Sequence, residues 1–178
     1  MLLLTLQFLR PWKKPLKSAS YKFRKLKIIK GATFAGYYEY MVYITRIEHF
    51  NAAHKLFNVN WSREKNDEVF GKCANENWHG HNFELHVTIK GNPDPDTGFV
   101  YDAKKLGKIV KAHIIEGLDH KNLNEEVDFL KGKLCSIENL IIGIWQQLLP
   151  HLPAGVKLHC LKLYETKTIY VEYFGETN

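Results

Sequence analysis

The sequence predicts an α+β fold, an antiparallel sheet with helices packed against one of its faces. Three observations carry this reading. A strict apolar–polar alternation runs through "HNFELHVTIKG", two stretches of helical periodicity follow it, and two segments rich in β-branched and aromatic residues come after the helices. With 178 residues, 45% of them apolar, the protein is large enough to bury one proper core.

The elements follow in order. "VYITRIEHFNAAHKL" (42–56) reads as a strand with a bend near Asn51. Residues 58 to 78 are polar and without sustained periodicity, which predicts a long loop. Phe83, Leu85, Val87 and Ile89 then alternate with Glu84, His86, Thr88 and Lys90, the pattern of a half-buried strand. "NPDPDTG" supplies a turn. Leu106, Ile109, Val110, Ile114 and Leu118 share one face of a helix that starts after Asp102. Ile137, Leu140, Ile141, Ile144, Trp145 and Leu148 share a face of a second helix, with Ser136 as its N-cap. "KLHCLKLYET" and "TIYVEYF" are the closing strands. Strand, strand, helix, helix, strand, strand is thus the predicted order, four strands and two helices.

Charge is unevenly spread. Residues 1–40 carry nine basic side chains and one acid, whereas residues 41–178 carry 16 bases and 18 acids, a balance of −2. A mildly acidic body excludes nucleic acid as the expected main partner. The division predicted is a basic N-terminal appendage, 1–40, and one domain, 41–178. No apolar run approaches the ~20 residues that span a bilayer, so no membrane partner is expected. Cysteines at 73, 135 and 160 form neither a C-x-x-C pair nor an even framework, which fits a reducing, cytoplasmic compartment.

Candidate chemistry concentrates in "GKCANENWHGHNFELHVTIKG" (71–91). Strand residues two apart point to the same face, about 6.6–7 Å apart, so His79 and His81 can aim both rings at one point. If the first two strands pair, His54 is the natural third ligand of an open, three-histidine zinc site. The same pattern also describes polar core or surface histidines. Glu84 is at the wrong strand parity for a shared-metal glutamate, and neither P-C-x-x-C nor H-E-x-x-H occurs. Cys73 precedes the histidines in a loop, where a nearby cation would favour thiolate. Asp119 and His120 in "LDHKNLN" can form an Asp–His pair that fixes one imidazole tautomer. Glu165 in "KLYET" shares strand parity with Leu161 and Leu163, and a carboxylate there needs donors, which a flat heterocycle with paired N–H groups would supply.

Six segments in order, "HFNAAHKL", "KCANENWHGHNFEL", "GFVYDAKKL", "LDHKNLN", "CSIENLIIGIW" and "KLYET", resemble the 6-pyruvoyl-tetrahydropterin synthases and their relatives, the 6-carboxy-tetrahydropterin synthases of queuosine biosynthesis. The resemblance spans residues 42–174 and implies the tunnelling fold, with an antiparallel four-stranded sheet and two helices on one face. It implies a homohexamer of two stacked trimers with sites at subunit interfaces, and zinc on His54, His79 and His81. Cys73 would be the catalytic base, Asp119 and His120 the relay from a neighbouring subunit, and Glu165 the anchor of the pterin ring. Glu138 falls on the glutamate of the family's Thr-x-Glu-Asn or Thr-Glu-Asn stretch near the pterin, with Ser136 and Ile137 standing where small hydroxyl residues are usual. The implied substrate is 7,8-dihydroneopterin triphosphate. Loss of triphosphate gives the pyruvoyl product, and loss of acetaldehyde as well gives the carboxy product. Five residues between Cys73 and His79 resemble the pyruvoyl type. A non-catalytic, zinc-stabilised pterin-binding module is the rival, and it would need Glu165 but not Cys73, Asp119 or His120.

Overall fold

A computed structural model of the protein describes residues 41–175, so the N-terminal appendage expected at 1–40 lies outside the described residues. The first strand, β1 (Val42–His54), and the second, β2 (His79–Gly91), pair antiparallel over their whole length, from Val42 opposite Gly91 to His54 opposite His79. The bend expected near Asn51 does not interrupt the pairing: Asn51 lies opposite Asn82 in unbroken register. Between these strands runs α1 (Arg63–Phe70), and after them come α2 (Ala103–Val110), β3 (Lys121–Asn122), α3 (Ile137–Leu148), β4 (Lys157–Tyr164) and β5 (Tyr170–Tyr173). A π turn (Lys111–Ile115) and a last helical turn (Glu116–Leu118) extend α2. Among the described residues no helix is long and apolar enough to cross a membrane.

The sheet has five strands in the order β3-β1-β2-β4-β5 and is mixed, not a four-stranded antiparallel sheet. The extra strand is two residues long and runs parallel to β1, opposite Ala52 and Ala53. His120 N–H donates to the Asn51 carbonyl (2.6 Å) and Leu123 N–H to that of Ala53 (2.8 Å). Two residues carry no readable period, and main-chain bonds alone make this strand.

Three helices replace the expected two, because part of the polar stretch read as loop is α1. Its sequence, "REKNDEVF", has no apolar stripe, and its one buried residue is Asn66. That amide organises the preceding turn: Asn58 N–H donates to its Oδ1 (2.7 Å), and its Nδ2 donates to the carbonyls of Asn58 (3.0 Å), Ser62 (3.0 Å) and Trp61 (3.5 Å). Ser62 caps the helix by accepting from Lys65 N–H. A buried polar side chain therefore anchors this helix, as an apolar face anchors the others.

The amphipathic helices form where their periodicity places them. Asp102 accepts from the N–H groups of Lys104 and Lys105, and Ser136 accepts from that of Asn139. Leu106, Val110, Ile114 and Leu118 from the first helix, and Leu140, Ile144 and Leu148 from the second, are fully buried against Phe50, Phe83, Leu85, Val87, Ile89, Leu161 and Leu163 of the sheet. Each such side chain contributes about 1.5–3 kcal/mol by leaving water. A bulge between Thr88 and Ile89 in the β2–β4 pairing shifts the register, so that Leu158 and Leu161 both reach the core although their parity differs. The opposite face of the sheet has exposed Tyr43 and Ile47 on β1.

Asn66→Ala is expected to destabilise the protein by about 1–3 kcal/mol, because it removes the partner of several part-buried main-chain groups. Urea denaturation of the variant measures this. A loss below about 0.5 kcal/mol would show that the turn holds without the amide.

Candidate metal centre and active site

The β1–β2 register places His54 directly opposite His79, with His81 two residues along on the same face. The three rings continue the inner face of the sheet past the stacked Phe50–Phe83 pair, whose centroids are 4.9 Å apart. Their own centroids lie 4.6 Å (His54–His79), 5.1 Å (His54–His81) and 5.0 Å (His79–His81) apart. One ring nitrogen from each lies within 4.8 Å of the others. Gly80 permits the close pairing, since a Cβ there would sit 3.2 Å from the Ala52 carbonyl oxygen.

The tautomer of His54 is fixed by its neighbour. Its Nδ1 lies 2.7 Å from the Cys135 carbonyl oxygen. A carbonyl only accepts, so Nδ1 carries the proton and Nε2 keeps its lone pair. That Nε2 and the Nδ1 of His79 are buried without a hydrogen-bond partner. Burial pushes the pKa of all three histidines below the ordinary 6.5. Neutral imidazoles with unpartnered lone pairs at one point are the donor set of a tetrahedral zinc site. The residues present thus fit a divalent metal.

Glu165 stands at the rim of this cluster. Its Oε1 is 3.4 Å from His54 Nε2 and 3.7 Å from His81 Nε2, and the side chain is largely buried. Cys73 lies on a single 3₁₀ turn, Gly71–Ala74, and is half-buried. The turn is tied to the end of β1 by Leu56 N–H, which donates to the Cys73 carbonyl (2.8 Å) two residues beyond His54.

Asp119 and His120 form the expected pair on the other side of β1. Asp119 Oδ1 accepts from Asn51 N–H (2.8 Å), and its Oδ2 is 2.9 Å from His120 Nδ1. The Asn51 N–H is the main reason that the Asp119 carboxyl titrates below its ordinary value, with the contact to His120 adding to it. A carboxylate accepts, so His120 donates from Nδ1 and presents Nε2 outward. His120 adopts a left-handed φ of 60° and leaves 78% of its side chain exposed. It lines a cavity of about 470 Å³ together with Asn51, Gly80, His81, Lys121 and Glu126. Among the described residues no hydrogen bond or ion pair joins Cys73 to Asp119 or His120. Glu138 is exposed in the first turn of α3 and makes no such contact with the triad either.

A family model described as "6-pyruvoyl tetrahydropterin synthase" matches residues 43–176. The chain belongs to this family. It is 40% identical over 134 residues to the 6-pyruvoyl tetrahydrobiopterin synthase of Poecilia reticulata, covering 75% of this chain and 90% of that protein. To the Homo sapiens protein of the same name it is 41% identical over 133 residues, covering 75% and 91%. The solved structure of Caenorhabditis elegans 6-pyruvoyl tetrahydropterin synthase superposes with a TM-score of 0.73 at 34% identity, covering 78% of this chain and 98% of that one. The family fold implied by the six segments is thus the observed one, with the added strand and helix described above.

Two contributors to the site escaped the sequence reading. The Cys135 carbonyl that orients His54, and the Asn51 N–H that holds Asp119, are main-chain groups and leave no side-chain signature.

The lowered histidine pKa values set a pH dependence. Below pH 6.5 the unfolded chain binds protons that the folded imidazoles refuse, so the stability gained by keeping them neutral is full above pH 6.5 and declines as pH falls from there toward the lower folded values. Denaturation midpoints of the metal-free protein are expected to drop on the acid side of this window, and His79→Ala to reduce the drop. An unchanged slope in that variant would place the acid sensitivity elsewhere.

Proposed function

We propose that the protein is a zinc-dependent lyase that converts 7,8-dihydroneopterin triphosphate to 6-pyruvoyl-tetrahydropterin with release of triphosphate. The observation that carries this is the convergence of His54, His79 and His81, two of them with unpartnered buried nitrogens, beside the Glu165 carboxylate. Membership of the family and the names of its relatives support the same substrate. His54, His79 and His81 would hold the zinc, which when bound supplies a Lewis acid for the hydroxyls of the substrate's side chain. Glu165 accepts hydrogen bonds from the ring N–H and NH₂ and so orients the bound ring. Cys73, as thiolate, takes a carbon-bound proton from that side chain. His120, aligned by Asp119, returns a proton elsewhere on it, and the triphosphate leaves.

Glu138 is assigned a place near the pterin by resemblance alone, and its exposure in the single chain fits a contact completed by another subunit. The same argument applies to His120. It is exposed and makes no hydrogen bond or ion pair to Cys73 among the described residues, which fits a relay that reaches a thiol of a neighbouring subunit. We infer a hexamer of two trimers whose subunits share active sites.

Cys73→Ala is expected to lower turnover by about 10²–10⁴ while leaving zinc content and pterin affinity nearly intact. Glu165→Ala is expected to weaken pterin binding first, by roughly 1–3 kcal/mol. Turnover assays beside binding titrations separate the two, and near-normal turnover in Cys73→Ala would remove the thiol from the reaction. Mass analysis of the product reads the outcome directly: acetaldehyde and a 6-carboxy pterin would replace the pyruvoyl assignment.

Mixing inactive Cys73→Ala and inactive His120→Ala subunits, dissociated and reassembled, is expected to restore part of the activity. No recovery in demonstrably mixed oligomers would place the whole site within one subunit.

A further inference from the structure

A second cavity, also of about 470 Å³, adjoins the histidine cluster and has no part in the roles assigned above. Its walls include Lys55, Asn58, Trp78, Asn124, Glu125 and Lys133. Three of these walls lie within two residues of one that builds the cluster. Lys55 follows His54, Trp78 precedes His79, and Lys133 lies two residues before Cys135, whose carbonyl orients His54. The strand order fixes its side of the site. Asn124 and Glu125 come after β3, beyond β1, whereas Glu165 comes after β4, beyond β2. The cavity and the Glu165 carboxylate therefore flank the cluster from opposite directions.

The cavity is built rather than incidental. The Asn124 amide takes both main-chain groups of Lys55: Lys55 N–H donates to Oδ1 (3.0 Å), and Nδ2 donates to the Lys55 carbonyl (3.1 Å). The Lys55 ammonium sits 4.2 Å from the Trp78 ring centroid, close enough for a cation–π contact, and 5.8 Å from that of Phe57. Trp78 itself has φ 62°, a left-handed backbone that bulky residues rarely adopt and that persists only where the surroundings hold it. Asn58 is fixed by the buried Asn66. Two lysines and three asparagines are among the residues that line the space, and the one acidic residue there, Glu125, is exposed.

We propose that this cavity seats the phosphate chain of the substrate, with Lys55 and Lys133 as its ionic contacts and Trp78 as the wall that holds Lys55 in place. The proposal rests on the dihydroneopterin triphosphate reading. Such a molecule is linear, with a flat ring at one end, hydroxyls in the middle and a polyanion at the other. Glu165, the histidine cluster and the lysine-lined cavity meet those three parts in the same order.

The test titrates the full-length protein, metal-free so that the probe does not sequester zinc, with inorganic tripolyphosphate and separately with neopterin, which carries no phosphate. Lys55→Gln and Lys133→Gln are each expected to weaken tripolyphosphate about tenfold, the loss of one charge-assisted contact, and to leave neopterin affinity unchanged. Trp78→Gly, which relieves the backbone and removes the wall, is expected to weaken tripolyphosphate with the melting temperature retained. Lys108→Gln, an exposed lysine on α2, is expected to change neither. With zinc restored, the two lysine variants are expected to raise KM for the triphosphate substrate. The proposal is overturned if tripolyphosphate fails to bind, if its affinity is unchanged in both lysine variants, if Lys108→Gln weakens it equally, or if it competes with neopterin. Tripolyphosphate binding with the expected losses, but no neopterin binding to any form, would keep the anion subsite and refute the pterin reading.

Discussion

The antiparallel register between β1 and β2 determines where every other part of the site can be. It runs without a break from Val42 opposite Gly91 to His54 opposite His79. Side chains alternate between faces along a strand, so a slip of one residue would turn His54 toward the open face while His79 and His81 stayed on the other. The same slip would expose Phe50 and separate it from Phe83. Core packing and metal-site geometry therefore select the same register, and the apolar side chains that stabilise the sheet also hold three imidazoles at its end.

The second layer adds what the sheet lacks. The segment leading into α3 brings the Cys135 carbonyl to His54, and the segment after α2 brings Asp119 and His120 to the outer edge of β1 through Asn51. Because α2 and α3 are anchored by Leu106, Val110, Leu140 and Ile144 in the core, these polar contacts inherit rigid positions. Glu165 arrives differently, at the end of β4, where Glu84 on β2 pairs with Tyr164. The Cys135 carbonyl and Glu165 thus meet at the histidine cluster, Asp119 and His120 stand at the β1 edge, and each is placed by an element with its own apolar face.

What was legible in the sequence follows from this division. The alternation of residues 83–89 and the helical spacing of Leu106 through Leu118 are repeated signals, and both elements formed where expected. The spacing of His79 and His81 was equally direct, and His54 followed from strand pairing. The missed parts have no repeat to read. α1 depends on one buried amide, Asn66, within an otherwise polar stretch, and β3 is two residues held by main-chain bonds. Asn51 looked like a bend because asparagine favours turns, yet its N–H and carbonyl are both engaged and the strand continues through it. The resemblance named Glu138, but local geometry gives it no partner among the described residues.

The two contacts that orient His54 and Asp119 share a chemical peculiarity: on one side each uses the peptide group rather than a side chain. Every residue type supplies a carbonyl at 135, and every type except proline supplies an N–H at 51. Mutation can therefore replace the Cys135 thiol or the Asn51 amide without deleting the atom the site depends on. The contact itself places no demand on the side chain at either position, although the Cys135 thiol is also packed in the core. An inventory of invariant side chains would overlook two of the supports that aim this site, because heredity preserves them through the backbone.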